Sequence, residues 1–287
     1  MPTRVETPDF GGRRVLSLES RRATEVAALI TNHGGRPLVA PAIREVPLES
    51  NAEALDFAAA LIGGGFDLTI FLTGVGTRML VRAIEGTYPR DVFLAALGRT
   101  KVVARGPKPL AVLRELGVPV WATASEPNTW RELLAAIDAR ERERPLRGAR
   151  VAVQEYGVSN TALLDELRSR GAHVTPVSVY RWELPEDLEP LQSAVTAIAR
   201  GEVDVIVFTT GVQVIHLWQI SQQMHLVSEV QRELARLVIA SIGPTTSEEL
   251  RRHGVTPDLE ASHPKMGFLV REAAERSAGL LRAKRIG

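Results

Sequence analysis

The chain has 287 residues, with 35 Lys and Arg against 34 Asp and Glu, so its net charge of +1 gives no field that would hold nucleic acid or a membrane surface. It contains no cysteine, which removes disulfides, thiolate catalysis and Cys-ligated metal and suits a reducing cytoplasm. Its 45% hydrophobic residues can fill two domain cores, and no apolar run reaches membrane-spanning length.

Residues 1–12 lack the apolar stretch of a signal peptide and read as a loose tail. The periodicity then predicts a strand over 15–18, a helix over 22–32 closed by Gly34 and Gly35, and an extended stretch over 37–47. A strand over 68–72, a strand over 101–104 and a helix over 109–116 stopping at Gly117 follow. The series then restarts: strand 151–154, helix 161–170 ending at Gly171, extended stretch 174–185, strands 205–209 and 238–242, and helix 246–253 ending at Gly254. Alternating strands and helices mark βαβ units with a mainly parallel sheet. The two extended stretches contain prolines, which cannot donate to a ladder, so they are edge strands or crossings between domains; side by side they would form a two-stranded hinge.

The restart is a repeat. FDLTIFLTGV at 66–75 recurs as VDVIVFTTGV at 203–212, and Gly106-Pro107 recurs as Gly243-Pro244, each 137 residues on. Residues 14–35 align with 150–171 at an offset of 136. So long a period means two related domains rather than a solenoid, and the cleft between two such domains is a preferred place for a small-molecule site.

Thr73 and Thr210 end the repeated strands ahead of Gly74 and Gly211, where ligands of open parallel sheets bind. Gly74-x-Gly76 is not a dinucleotide fingerprint, because Met79 stands where the third glycine belongs. Gly243-Pro244-Thr245-Thr246 sits at a strand-to-helix junction whose backbone N–H groups favour anions. Thr246-x-x-Glu249 reads as a capping box, which leaves Thr245 as the cleaner ligand group. The matching turn in the first copy, Gly106-Pro107-Lys108-Pro109, offers Lys108 instead. The histidines are scattered without ligand spacing, so no metal site is expected; His216 and Trp218 read as packing and surface residues.

Taken together, Phe-x-Thr-Gly-Val at 71–75 and 208–212, Val179-Tyr180-Arg181 after Gly-x-x-Val-x-Pro, and Ile242-Gly243-Pro244-Thr245-Thr246 resemble the uroporphyrinogen-III synthase family over roughly residues 13–276. The resemblance implies an α/β fold of two similar parallel-sheet, flavodoxin-like domains joined by a two-stranded β-ladder hinge, with the active site in the interdomain cleft. It implies a discontinuous domain, 1–45 plus 182–287, a continuous one, 46–181, and hinge strands at about 40–47 and 177–185, with a domain orientation that varies. The implied reaction is cyclisation of hydroxymethylbilane to uroporphyrinogen III, with loss of water and inversion of ring D. It needs only assistance to the departing hydroxyl and control of a flexible chain, so no metal or cofactor is implied.

Tyr180 matches the tyrosine of the family's Val-Tyr-Arg pattern and is the implied catalytic donor; Tyr88 and Tyr156 match nothing comparable. Substrate contacts are expected from Thr73, Gly74, Arg105, Gly106, Lys108, Thr210, Gly211, Gly243, Thr245 and Thr246. The substrate's carboxylates call for cations, for which Arg21, lacking the proline that commonly follows it in the family, is a candidate beside Arg22, Arg78 and Arg181. The implied protein is a cytoplasmic monomer that takes substrate in a transient hand-over from hydroxymethylbilane synthase, without nucleic-acid or membrane partners. Two alternatives stand beside this reading. One is a non-catalytic sensor of a tetrapyrrole or another acidic small molecule, with the basic run at 282–285 as the stub of a join to a regulatory module; the other is a sugar- or nucleotide-binding α/β enzyme, for which no P-loop appears.

Overall fold

The protein is described here from a computed structural model covering residues 8–48, 51–155, 157 and 159–286. The reading of the first seven residues as a tail, and the remark on Tyr156, lie outside the described residues.

The first copy of the repeat contains β1 (Arg14–Ser17), α1 (Ala23–Asn32), β2 (Arg36–Val39), β3 (Arg44–Pro47), α2 (Ala52–Ile62), β4 (Leu68–Phe71), α3 (Gly74–Glu85), α4 (Arg90–Gly98), β5 (Lys101–Ala104), α5 (Pro107–Glu115), β6 (Ala122–Thr123) and α6 (Trp130–Asp138). The second contains β7 (Arg150–Gln154), α7 (Thr161–Ser169), β8 (His173–Val177), β9 (Tyr180–Glu183), α8 (Glu189–Ala199), β10 (Val205–Phe208), α9 (Gly211–Gln223), α10 (Val227–Leu234), β11 (Val238–Ser241), α11 (Pro244–Arg252), β12 (Leu259–Glu260) and α12 (Met266–Ile286).

Among the described residues the strands form two parallel five-stranded sheets and one two-stranded pair. One sheet runs β12-β11-β10-β1-β2 and the other β6-β5-β4-β7-β8. Central strands β4 and β10 are buried along their whole length, as parallel strands covered on both faces must be. Each sheet therefore draws strands from both copies of the repeat: Val15 lies opposite Val205, and Leu68 opposite Val151. The chain divides into two compact units, 1–44 with 183–287 and 45–182, and both divisions fall inside the β3–β9 pair.

In the first unit, Leu191, Val195, Leu217 and Ile239 pack in a cluster that includes Ile206 and Phe208, while Val26, Ile30, Leu269 and Val270 pack in another with Val205 and Val207. In the second, Phe57, Leu80, Ile84 and Phe93 pack with Phe71, and Leu133, Leu134, Leu163 and Leu167 with Leu68 and Ile70. Each such buried Leu, Ile or Phe contributes about 1.5–3 kcal/mol relative to exposure.

The proline-bearing stretches are each two things in succession. Residues 36–39 and 173–177 are edge strands, β2 and β8, while 44–47 and 180–183 are the paired strands β3 and β9. The predicted strands end within one residue of the observed ones. Two helices begin two residues earlier than expected, at Pro107 and Pro244, because proline fits the first helical position, where its missing N–H costs nothing.

Candidate functional site

In an open parallel sheet the ligand crevice lies at the carboxyl ends of the two strands where the order reverses. In the second unit those strands are β4 and β7. Thr73 follows β4 and is the N-cap of α3: its Oγ1 accepts from Gly76 N–H at 3.0 Å, while its carbonyl accepts from Thr77 Oγ1 at 2.7 Å. Tyr180, only 3% exposed, brings its phenol oxygen to 3.3 Å from Thr73 Oγ1. The buried amide of Gln154, at the end of β7, accepts from Thr73 N–H at 3.4 Å and donates to the Glu155 carbonyl. The phenol is thus held by the loop after β4 and backed by Trp182, whose ring centroid lies 6.2 Å away.

Gly74 and Gly106 stand at close approaches of the chain. A Cβ on Gly74 would stand 2.8 Å from the Lys108 carbonyl, so its absence lets the N-termini of α3 and α5 meet. Gly106 is the N-cap of α5 in extended backbone, and a Cβ there would stand 2.8 Å from Asn128 Oδ1. Arg105 is placed beside this turn by its N–H, which donates to the Phe71 carbonyl at 3.0 Å, and Lys108 lies exposed in the first turn of α5. This unit therefore gathers Tyr180, Thr73, Gly74, Arg105, Gly106 and Lys108 on β9 and at the turns that lead from β4 and β5 into the first turns of α3 and α5.

In the first unit the reversal falls between β1 and β10. Thr210 is the N-cap of α9 but makes no side-chain cap bond. Its neighbour Thr209 carries the network instead: Thr209 N–H donates to Gln213 Oε1 at 2.8 Å, Gln213 Nε2 donates to Thr209 Oγ1 at 2.9 Å, and that hydroxyl donates to Glu19 at 2.6 Å. Gly211 packs against α11, where a Cβ would meet Glu249 Cβ at 3.2 Å. Gly243 is the buried N-cap of α11, braced by Ser241, whose hydroxyl donates to the Gly243 carbonyl at 3.0 Å. Thr245 is exposed in the first turn. Thr246 is buried at the third helical position, so it is not the N-cap of a capping box; the early start at Pro244 displaces it. A capping box does occur elsewhere, at Thr129 and Glu132.

Of the cations, Arg21 is exposed just ahead of α1, Arg22 pairs with Glu25, and Arg78 pairs with Glu115 at 2.7 Å, which commits its charge to an exposed ion pair. Arg181 is exposed on β9. His216 and Trp218 are both buried, not surface groups; His216 Nδ1 lies 2.6 Å from the Ala42 carbonyl, and burial pushes its pKa below the usual histidine value against the opposing pull of that bond. Gln154, Gln213 and Glu19 were missed by sequence reading. For Glu19 the signal was present in the repeat itself, since it aligns with Glu155 at the 136-residue offset; Gln154 and Gln213 have no matching glutamine in the other copy.

A family model described as uroporphyrinogen-III synthase HemD matches residues 24–271. A putative uroporphyrinogen-III synthase of Methanothermobacter thermautotrophicus is 30% identical over 240 residues, covering 82% of this chain and 87% of the relative. The uncharacterized protein YjjA of Bacillus subtilis is 30% identical over 265 residues, covering 92% of this chain and 96% of its own. Among solved structures, a mutant uroporphyrinogen III synthase from Thermus thermophilus is 28% identical with a TM-score of 0.70, covering 94% of this chain and all of that one. The Helicobacter pylori uroporphyrinogen-III synthetase, 16% identical over 91% of this chain and 98% of its own, shares the fold with a TM-score of 0.52.

Proposed function

This chain belongs to the uroporphyrinogen-III synthase family, and on that premise we propose that it is a hydro-lyase that cyclises hydroxymethylbilane to uroporphyrinogen III with loss of water and inversion of ring D. The observation that carries the reading is the Tyr180 phenol held 3.3 Å from the Thr73 hydroxyl at the carboxyl end of β4. A phenol is a neutral donor at physiological pH, so it can hydrogen-bond the departing hydroxyl of the bilane and hand it a proton as the C–O bond breaks. The electron pair of the adjacent pyrrole nitrogen supplies the push and leaves an azafulvenium cation and a phenolate. A substituted ring carbon attacks that centre to form a spiro intermediate, whose fragmentation and reclosure reverse ring D, and the proton lost as the ring rearomatises returns to the phenolate. One water leaves and nothing is oxidised or reduced, so the chemistry needs no cofactor.

Most of the remaining barrier lies in holding a flexible tetrapyrrole in one reactive conformation, a positioning task that many weak contacts can share. The helix starts at Gly106-Pro107 and Gly243-Pro244, the hydroxyls of Thr210, Thr245 and Thr246, the backbone at Gly74 and Gly211, and the cations of Arg21, Arg105 and Lys108 are proposed to receive its carboxylates and ring N–H groups. We assign the protein to the cytoplasm, acting as a monomer on bilane handed over by hydroxymethylbilane synthase; among the described residues no helix is long and apolar enough to cross a membrane.

The test is isomer analysis of the product. Free bilane closes without rearrangement to the I isomer, so formation of the III isomer by purified protein supports the reading, and the I isomer alone with folded protein refutes it in favour of a non-catalytic tetrapyrrole binder.

A further inference from the structure

The two units brace their strand-end loops with the same chemical group carried on different elements. In the first unit Gln213, on α9, supplies a buried amide to the loop after β10, and the repeat-equivalent of Gln213 in the second unit is Gly76. In the second unit Gln154, on β7, supplies the amide to the loop after β4, and its repeat-equivalent in the first unit is Leu18. The exchange is sterically coupled: a Cβ on Gly76 would meet the Gln154 carboxamide, so a side chain at 76 requires that amide to leave its place. The donors differ by one residue, since Gln213 accepts from the N–H of Thr209, one before the cap, whereas Gln154 accepts from that of the cap Thr73 itself.

We propose that Gln154 is a positioning residue for the reaction assigned above, acting through Thr73 to hold the Tyr180 phenol, and that Gly76 is glycine to admit it. The argument runs through hydrogen-bonding capacity. Thr73 must keep its Oγ1 aimed at Gly76 N–H and Tyr180, and a backbone N–H left without an acceptor in this loop would favour a rotated peptide. The Gln154 carboxamide removes that choice. It accepts from Thr73 N–H while its own Nε2 is fixed on the Glu155 carbonyl, whose residue is in turn tied to β8 by Glu155 N–H donating to the Val177 carbonyl at 3.0 Å. The chain of contacts thus links β7 and β8 to the phenol, and only a side chain with both an acceptor and a donor at that reach completes it.

Since the proposal rests on the synthase reading, its test has one arm that does not. Gln154→Leu, Gly76→Gln and the double variant form a cycle read by Thr73 amide hydrogen exchange, thermal unfolding, and kcat and KM for bilane cyclisation. Gln154→Leu is expected to speed exchange at Thr73 and to lower kcat by roughly twofold to tenfold, no more than Tyr180→Phe does, while KM stays within about twofold. Gly76→Gln alone is expected to lower the melting temperature by displacing the Gln154 carboxamide, and the double variant to be more stable than that single variant. If Gln154→Leu does not fold, folding of the double variant supports the proposal and its failure to fold overturns it. Unchanged Thr73 exchange and unchanged kcat in folded Gln154→Leu also overturn it. A parent protein that makes no III isomer refutes the synthase reading instead, and the exchange and stability arms then decide the role of Gln154 alone.

Discussion

After β4, Thr73 turns its hydroxyl inward, taking the Gly76 N–H at 3.0 Å and lying 3.3 Å from Tyr180; after β10, Thr210 occupies the matching position and makes no cap bond, because Gln213 and Thr209 have taken over the loop. The two motifs differ little in sequence and are finished by different neighbours. What a threonine does at the end of a parallel strand is therefore decided by the residue that supplies the next donor or acceptor, here a glutamine three positions into a helix in one unit and at the end of a strand in the other.

That contrast can be broken most severely at the glycines. Gly74→Ala is expected to destabilise the protein by about 1–3 kcal/mol, because the new methyl meets the Lys108 backbone carbonyl, which cannot move without shifting α5. Gly211→Ala meets the Glu249 side chain at 3.2 Å and the Thr245 carbonyl at an ordinary 3.9 Å, and is expected to cost less than about 1 kcal/mol. Denaturant unfolding of the two variants checks the ranking, and equal losses would remove the asymmetry.

Thr73→Val sharpens the comparison at the hydroxyl itself. Losing an N-cap costs about 1 kcal/mol, and the same change deprives Tyr180 of its partner, so lower stability and lower kcat are expected together. Thr210→Val has no cap bond to lose, so its melting temperature is expected to stay close to that of the parent while KM rises. Thermal unfolding and steady-state kinetics on both proteins decide it.

A separate, pH-dependent effect lies at the opposite, amino ends of the strands. Asp67 accepts from the Arg150 side chain and backbone and pairs with Arg144, and the Arg150 hydrogen bonds hold its pKa down at about 2. A carboxylate with a depressed folded pKa contributes its stability above its unfolded value and loses it as pH falls toward the folded one. Asp67→Asn is therefore expected to cost about 1 kcal/mol near neutral pH, after allowance for solvent screening, and progressively less as pH drops from about 4 toward 2. Urea titrations across that range read the convergence of the two proteins.

The repeat made much of the architecture legible, because two copies offset by 136 and 137 residues agree on where strands and glycine stops fall. The threonines at 73 and 210 stood out because they end those strands. The start of α11 was read two residues late because Thr246 and Glu249 satisfy a capping-box pattern, while Pro244 at the first helical position was the stronger signal. Gln154 was hidden for a different reason: it closes a buried apolar strand, and nothing in the local pattern says that its side chain reaches across to the next loop. The interchange of Gly76 and Gln154 with Gln213 and Leu18 shows only when sheet neighbours from different copies are set beside one another.

The central claim is met most directly by supplying hydroxymethylbilane to the parent and to Tyr180→Phe, oxidising the products and separating the isomers. The account predicts the III isomer from both, with kcat in the variant reduced more than binding and the loss modest, since positioning by the other contacts survives the substitution. The I isomer alone from folded parent protein would contradict it.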